Sequence, residues 1–186
     1  MSERGKLTVY TGPMYADKTT HLIKHAKQAG EKGIVFKPSL DDRYGGGDFV
    51  RSHNNESHQA ILFDAKKPGE ILKIIAQHPE ISQAIIDEIQ FCASDVLTVL
   101  EKMLVMGLNV IVAGLDLDSE KNSFGSMEEI IAKADEVVNL TATCDGCGGD
   151  ATYTYSKVPK KGVVAVGAAD LYGAACENCY GGLSKS

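Results

Sequence analysis

The stretch from Leu7 to Thr20, LTVYTGPMYADKTT, constrains the chain most: a short apolar run stops at Thr11-Gly12-Pro13 and passes into a polar segment suited to a helix. That order predicts strand, loop, helix. Gly12-Pro13-Met14-Tyr15-Ala16-Asp17-Lys18-Thr19 has the length and ending of G-x-x-x-x-G-K-[ST], a loop whose backbone N–H groups, lysine and hydroxyl hold phosphates and Mg²⁺. Asp17 stands where that pattern has its second glycine. A carboxylate ~4 Å from phosphate charge costs roughly 4 kcal/mol at an effective dielectric of 20, and a Cβ where backbone must approach a ligand adds strain. The other reading is a plain helix N-terminus, with Asp17 in a first turn where its charge suits the helix dipole.

The next segments extend the pattern. Thr19–Ala29 carries apolar residues at helical spacing and ends at Gly30 and Gly33, and Gly33-Ile34-Val35-Phe36-Lys37 then reads as a strand stopped by Pro38. Strand, helix, strand implies a right-handed β-α-β unit and a parallel sheet. His21 and His25, four apart with no third ligand nearby, read as solvent-facing helix residues rather than metal ligands. Asp41 and Arg43, ahead of Gly45-Gly46-Gly47, form either a polar site on a binding loop or a surface ion pair.

Further along, a strand is expected over Gln59–Phe63 and a helix over Pro68–Gln77 with proline in its first turn. Ala84-Ile85-Ile86 runs straight into Asp87 and Glu88. Beside a phosphate loop, the first carboxylate is placed to hold Mg²⁺ and the second to act as general base; alone, the pair is equally a helix N-terminal pair. Ala93–Met106 predicts a helix, Asn109–Gly114 a buried strand, and Leu115–Gly125 a polar loop with Phe124 exposed. Ser126–Ala134 predicts a helix capped by Ser126, and Asp135–Leu140 a last strand.

Cys144-Asp145-Gly146-Cys147 and Cys176-Glu177-Asn178-Cys179 are two C-x-x-C knuckles bracketing strand-like runs at Thr152–Ser156 and Gly162–Val166. Four thiolates so arranged suit a closed tetrahedral zinc site, with redox pairing as the alternative. Cys92 is left over and reads as a buried thiol. The residues between the knuckles offer backbone and hydroxyl groups that suit a planar base, or simply a hairpin packed on its own metal site.

With 186 residues, 44% of them hydrophobic, and no apolar run near ~18 residues, the chain suits a globular fold without a membrane span. A net charge of −6 argues against a nucleic-acid backbone as partner and for a small-molecule ligand. Met1–Lys6 lacks an apolar signal region, so a cytoplasmic protein is expected.

Taken together, GPM-x(3)-K-[ST], D-x-R-Y, S-H, D-E-x-Q-F, the polar loop after A-G-L, L-T-A-x-C-x-x-C and G-x-A-D-x-Y-x(3)-C-x-x-C-Y run over nearly the whole length. The chain resembles the type II thymidine kinase family. The resemblance implies an α/β fold, a P-loop NTPase-like parallel sheet flanked by helices over residues 1–140, with a small C-terminal zinc-ribbon (β) domain over residues 141–186. It implies transfer of the ATP γ-phosphate to the 5′-hydroxyl of thymidine or deoxyuridine, with Mg²⁺ and structural Zn²⁺, in a homotetramer. By position, Glu88 would be the general base; Gly12 to Thr19, Asp41, Arg43, Asp87 and Gln90 would hold ATP and Mg²⁺. Met14, Phe91, Leu115, Ser119, Phe124, Thr154 and Tyr172 would enclose the nucleoside, and main chain from Val163, Val164, Ala165 and Val166 would bond the base. Cys144, Cys147, Cys176 and Cys179 would hold zinc, and loop 116–125 would fold over bound nucleoside.

Two positions depart from the family pattern: Asp17, and Ser119, where the family usually has a phenylalanine. Three functions therefore stay open here: an active deoxypyrimidine nucleoside kinase, a nucleoside- or nucleotide-binding homologue that Asp17 keeps from turning over, and a structural zinc-ribbon partner protein.

Overall fold

A computed structural model describes residues 3–39, 48–52, 56–158 and 171–184. Six parallel strands form its centre: β1 (Leu7–Thr11), β2 (Gly33–Ser39), β5 (Ile61–Asp64), β6 (Gln83–Ile86), β7 (Asn109–Gly114) and β8 (Glu136–Asn139), in the order β5-β2-β6-β7-β1-β8. A short antiparallel pair, β3 (Phe49–Arg51) and β4 (Ser57–Gln59), lies between β2 and β5 in sequence. The expected strand over Gln59–Phe63 is thus divided. Gln59 pairs in the short ribbon, and the Ala60 N–H leaves the run to donate to Asp48 O at 2.8 Å.

Ala84-Ile85-Ile86 is apolar at every position because the sheet is covered on both faces. Ile85 faces α1 (Lys18–Ala29), packing with Tyr10, Leu22, Ile23, Ala26 and Ile111. Ile86 faces α2 (Glu70–Ile75), α3 (Val96–Val105) and α4 (Met127–Lys133), among Phe36, Ile71, Met103, Val112 and Ile130. The order of helices and strands is that of a parallel α/β sheet.

Helices α2, α3 and α4 are shorter than their sequence patterns suggest. Pro68 precedes α2, and the Ile71 N–H bonds Pro68 O in a single tight turn before the helix proper. Ser126 occupies the N-cap position of α4 without a side-chain capping bond. Its φ of −96° and ψ of 20° depart from the extended geometry that turns a capping hydroxyl onto the first amides. His21 and His25 face Tyr10 rather than solvent: the His21 ring stacks on it at 5.0 Å, and His25 Nε2 lies 2.8 Å from its hydroxyl. Burial and the neighbouring His21 hold His25 below the ordinary imidazole range.

After β8 come β9 (Ala142–Thr143) with β10 (Asp150–Ala151), then β11 (Tyr153–Ser156) with β12 (Tyr172–Ala175), both pairs antiparallel, and α5 (Glu177–Leu183). The strand expected over Gly162–Val166 lies outside the described residues, as do Asp41, Arg43 and the glycine run. This unit has its own apolar cluster of Ala142, Ala151, Tyr155, Ala174 and Ala175, which Ala16 of the β1–α1 loop joins. No helix among the described residues is long and apolar enough to cross a membrane.

The two-faced sheet gives a direct test. Ile85→Ala and Ile86→Ala, each removing a fully buried side chain from a different layer, are expected to cost about 2–4 kcal/mol in urea unfolding. Ile61→Ala, on an edge strand and 36% exposed, is expected to cost less than about 1 kcal/mol.

Candidate functional site

The central strands end in step: Ile86 lies beside Val112, and Thr11 beside Gly114. Their carboxyl ends therefore deliver three loops to one edge: 12–17 after β1, 87–92 after β6 and 115–126 after β7. In open α/β sheets this edge is where ligands bind. Among the described residues, four non-glycine residues have positive φ, namely Tyr15 (66°), Asp17 (55°), Glu88 (53°) and Lys121 (65°), and all lie on these loops.

Gly12 turns the chain off β1 with φ 141°, and a Cβ there would come within 2.2 Å of Leu140 O. Asp17 takes the left-handed conformation a glycine would take, φ 55° and ψ 23°, at the N-cap of α1. Aspartate is among the residues that visit this region at modest cost. The backbone path thus survives the missing glycine. The Asp17 side chain is exposed and makes no capping bond. In a water-like medium, like charges ~4 Å apart repel by only about 1 kcal/mol, so the penalty expected for a carboxylate inside the cradle is much reduced.

Lys18 Nζ donates to Gly12 O at 2.9 Å and Pro13 O at 2.5 Å, which folds its ammonium back over the loop. Burial lowers its pKa, against the opposing pull of Glu88, Asp87 and Asp116. Thr19 Oγ1 donates to Asp87 Oδ2 at 3.0 Å, and the Glu88 N–H donates to Asp87 Oδ1 at 3.0 Å. Burial, with the Glu88 carboxylate beside it, pushes Asp87 up to about 7. A hydroxyl and a buried carboxylate facing one another beside a phosphate-type loop are the oxygen donors a Mg²⁺ ion takes, with water and phosphate completing its shell. The residues present fit that ion.

Glu88 is held from the side. Gln90, 2% exposed, donates from Nε2 to Glu88 Oε2 at 2.5 Å and accepts at Oε1 from the Leu115 N–H at 3.3 Å. Gly125, at φ 57°, presses on the same residue, since a Cβ there would sit 2.2 Å from Gln90 O. Gln90 therefore contacts the carboxylate and both ends of the loop after β7. Phe91 and Phe124 meet edge to face at 5.4 Å, so Phe124 is half-buried rather than exposed. From the C-terminal unit, Thr154 Oγ1 accepts the Met14 N–H at 3.0 Å, and Tyr172 O accepts the Tyr15 hydroxyl at 3.2 Å. Ser119 O accepts the Tyr180 hydroxyl at 2.6 Å. Val163 to Val166, Asp41 and Arg43 lie outside the described residues.

The four cysteines converge, with all Sγ atoms within 4.8 Å of one another and Cys147 Sγ 3.8 Å from Cys176 Sγ. Tetrahedral zinc with Zn–S near 2.3 Å places sulfurs about 3.8 Å apart. Backbone N–H donors, the Cys176 N–H foremost, hold Cys144 down to about 6, which favours a thiolate ligand. The donor set fits structural zinc. Cys92 is buried beneath α3 and pushed up to about 12, an inert thiol.

Sequence reasoning did not find the contacts of Lys121, Tyr153, Glu177 and Tyr180. Lys121 Nζ bonds both Glu177 oxygens, at 2.9 and 3.0 Å, and lies 3.7 Å from the Tyr153 ring centre and 4.4 Å from that of Tyr180. No spacing rule pairs a loop lysine with tyrosines so distant in sequence.

Two measurements follow. Asp17→Gly relieves the left-handed strain and is expected to stabilise the ligand-free protein by about 0.5–1 kcal/mol in urea unfolding. Asp87 carries a folded-state pKa above its ordinary 3.8, so the folded state binds the proton more tightly. That stability is complete below about pH 4 and is lost as pH rises through 7. Asp87→Asn is expected to abolish this slope, leaving the ion-free protein more stable than the parent at pH 8 by on the order of 2 kcal/mol. Unfolding at pH 5, 6.5 and 8 without nucleotide checks it.

A family model described as thymidine kinase matches residues 5–180. The chain is 34% identical over 180 residues to a thymidine kinase of Pseudothermotoga lettingae, covering 95% of each protein. It is 35% identical to one of Thermococcus kodakarensis, covering 95% of this chain and 94% of the relative. It is 36% identical to one of Bacteroides fragilis, covering 95% and 87%. A glycine-lysine-threonine loop after β1, a carboxylate pair at the end of β6 and a four-cysteine cluster thus stand in a chain matched over nearly its whole length, and it belongs to the thymidine kinase family.

Proposed function

We propose that this phosphotransferase moves the γ-phosphate of ATP to the 5′-hydroxyl of thymidine or a related deoxypyrimidine nucleoside, with Glu88 as general base. The carrying observation is the Glu88 carboxylate, fixed by the buried Gln90 amide beside the Thr19–Asp87 pair and Lys18. Arrival of the triphosphate draws Lys18 Nζ from the Gly12 and Pro13 carbonyls onto phosphate oxygens. Thr19 and Asp87 would hold a Mg²⁺ ion, which would supply neutralisation of the charge on the transferred group. Glu88 takes the 5′-hydroxyl proton as the oxygen attacks the γ-phosphorus, whose bond to the β,γ-bridging oxygen breaks to release ADP.

Met14, Phe91, Leu115, Ser119, Phe124, Thr154 and Tyr172 enclose the nucleoside in this reading. Main chain from Val163 to Val166 bonds the base, and Asp41 and Arg43 join the Mg²⁺ and phosphate environment. The convergence of Met14 on Thr154 and of Phe91 on Phe124 supports the enclosure. Loop 116–125 excludes water and so limits ATP hydrolysis. The kinase unit spans residues 1–140 and the zinc ribbon 141–186. A homotetramer in the cytoplasm completes the proposal. Asp17 keeps the backbone path of the loop with its side chain exposed, which supports turnover over a binding protein without it.

Glu88→Gln keeps a polar side chain of the same length and removes the base. Thymidine-dependent ADP formation is expected to fall roughly 10²–10⁴-fold, with ATP binding retained. Unchanged turnover in that variant would overturn the assignment of the base; no thymidine-dependent ADP from the parent chain would overturn the substrate.

A further inference from the structure

Loop 115–126 is anchored twice. Its root is fixed at Gln90 through the Leu115 N–H and the close approach of Gly125. Its tip is a compact turn in which Asp118 Oδ1 accepts the Glu120 and Asn122 N–H groups at 2.7 and 3.0 Å. From that turn Lys121 projects at φ 65°, a conformation that disfavours every side chain larger than hydrogen. Strain of this kind persists where surrounding contacts over-determine it.

Those contacts form a cage. The Lys121 ammonium sits against the faces of Tyr153 and Tyr180, whose rings meet edge to face at 5.8 Å, and closes on both oxygens of Glu177. A cation against two aromatic faces and a carboxylate is held far better than one on an open surface. The Lys121 side chain is 27% exposed. Beside it, the Tyr180 hydroxyl donates to Ser119 O.

Every wall of the cage belongs to the cysteine unit. Glu177 follows Cys176, Tyr180 follows Cys179, and Tyr153 precedes Thr154, which holds the Met14 amide of the phosphate loop. The loop tip is therefore docked on the same short helix and strand that organise the thiolates and touch the phosphate loop.

We propose that Lys121 is a positioning residue that clasps loop 115–126 onto the cysteine unit and so sets how tightly the nucleoside is enclosed. The clasp rests on the reading that this loop covers the nucleoside. It acts on nucleoside affinity without touching the phosphate loop, so ATP affinity is independent of it.

The test compares the full-length parent with Lys121→Arg, Lys121→Met and Lys121→Gly. Hydrogen exchange of residues 116–125 is measured without ligand, and thymidine and ATP affinities are measured by calorimetry, which needs no turnover. Methionine keeps the stem and removes the charge. Glycine removes the whole side chain but suits φ 65°, so it separates clasping from strain. Expected are about ten-fold faster exchange of 116–125 in the Met and Gly variants, with α3 unaffected, and thymidine affinity weakened about ten-fold with ATP affinity unchanged. A ten-fold loss corresponds to about 1.4 kcal/mol. The Arg variant, which can restack on both rings, is expected to stay within about three-fold of the parent. Parent-like exchange in the Met variant, slower exchange in the Gly variant, or faster exchange with unchanged thymidine affinity would each overturn the proposal. Catalytic failure of the parent with these binding differences intact would instead sink the kinase reading and leave the clasp standing.

Discussion

The buried Asp87 carboxylate is the constraint on which the site depends. It lies where β6 runs out and, among the described residues, has two donors, the Thr19 hydroxyl from α1 and the adjoining Glu88 N–H. A carboxylate so desolvated is costly to charge, which is why it is pushed up to about 7. A cation bound there, as proposed, would offset that cost. The same bond fixes the first turn of α1 against the end of β6, so the phosphate loop and the carboxylate pair cannot drift apart without breaking it. Folding stability and catalytic readiness pull in opposite directions here, as they commonly do at active sites.

Much of the fold was legible because the signals were redundant. The short apolar run Ala84–Ile86, with its two β-branched isoleucines, and the helical spacing of Val96, Val99, Leu100, Met103 and Leu104 point to a strand and a helix, and the parallel sheet follows from the order of such elements. Boundaries were less legible where local and tertiary preferences conflict. Gln59 fits a run with Ile61–Phe63 by composition, but its backbone pairs with Phe49, a partner no local pattern names. His21 and His25 read as solvent-facing until Tyr10 of the neighbouring strand is placed beneath them.

The site was legible in its chemistry and not in its geometry. The knuckle spacing alone announced four converging thiolates, since few other arrangements satisfy two C-x-x-C pairs. Asp17 shows the opposite case. A missing glycine in the pattern reads as a defect, because sequence gives the identity of the residue and not its φ. In the fold, aspartate takes the left-handed turn a glycine would take and its side chain is exposed to solvent, so the backbone absorbs a substitution that looked decisive.

Strain at Glu88 and at Lys121 has a common logic. Each residue is held at positive φ by a side-chain partner drawn from elsewhere, Gln90 for the first and the tyrosine cage for the second. Gln90 also bears on the loop that Lys121 clasps, through Leu115 and Gly125. Glu88 and loop 115–126 therefore share one buried amide, that of Gln90, at their root. At its tip the loop meets the unit that supplies Thr154 to the phosphate loop. On the proposed reading, a nucleoside seated between Glu88 and this loop would contact both halves of the molecule through elements already braced against each other, so enclosure would demand little reordering of backbone and leave the binding energy for orienting the hydroxyl that reacts.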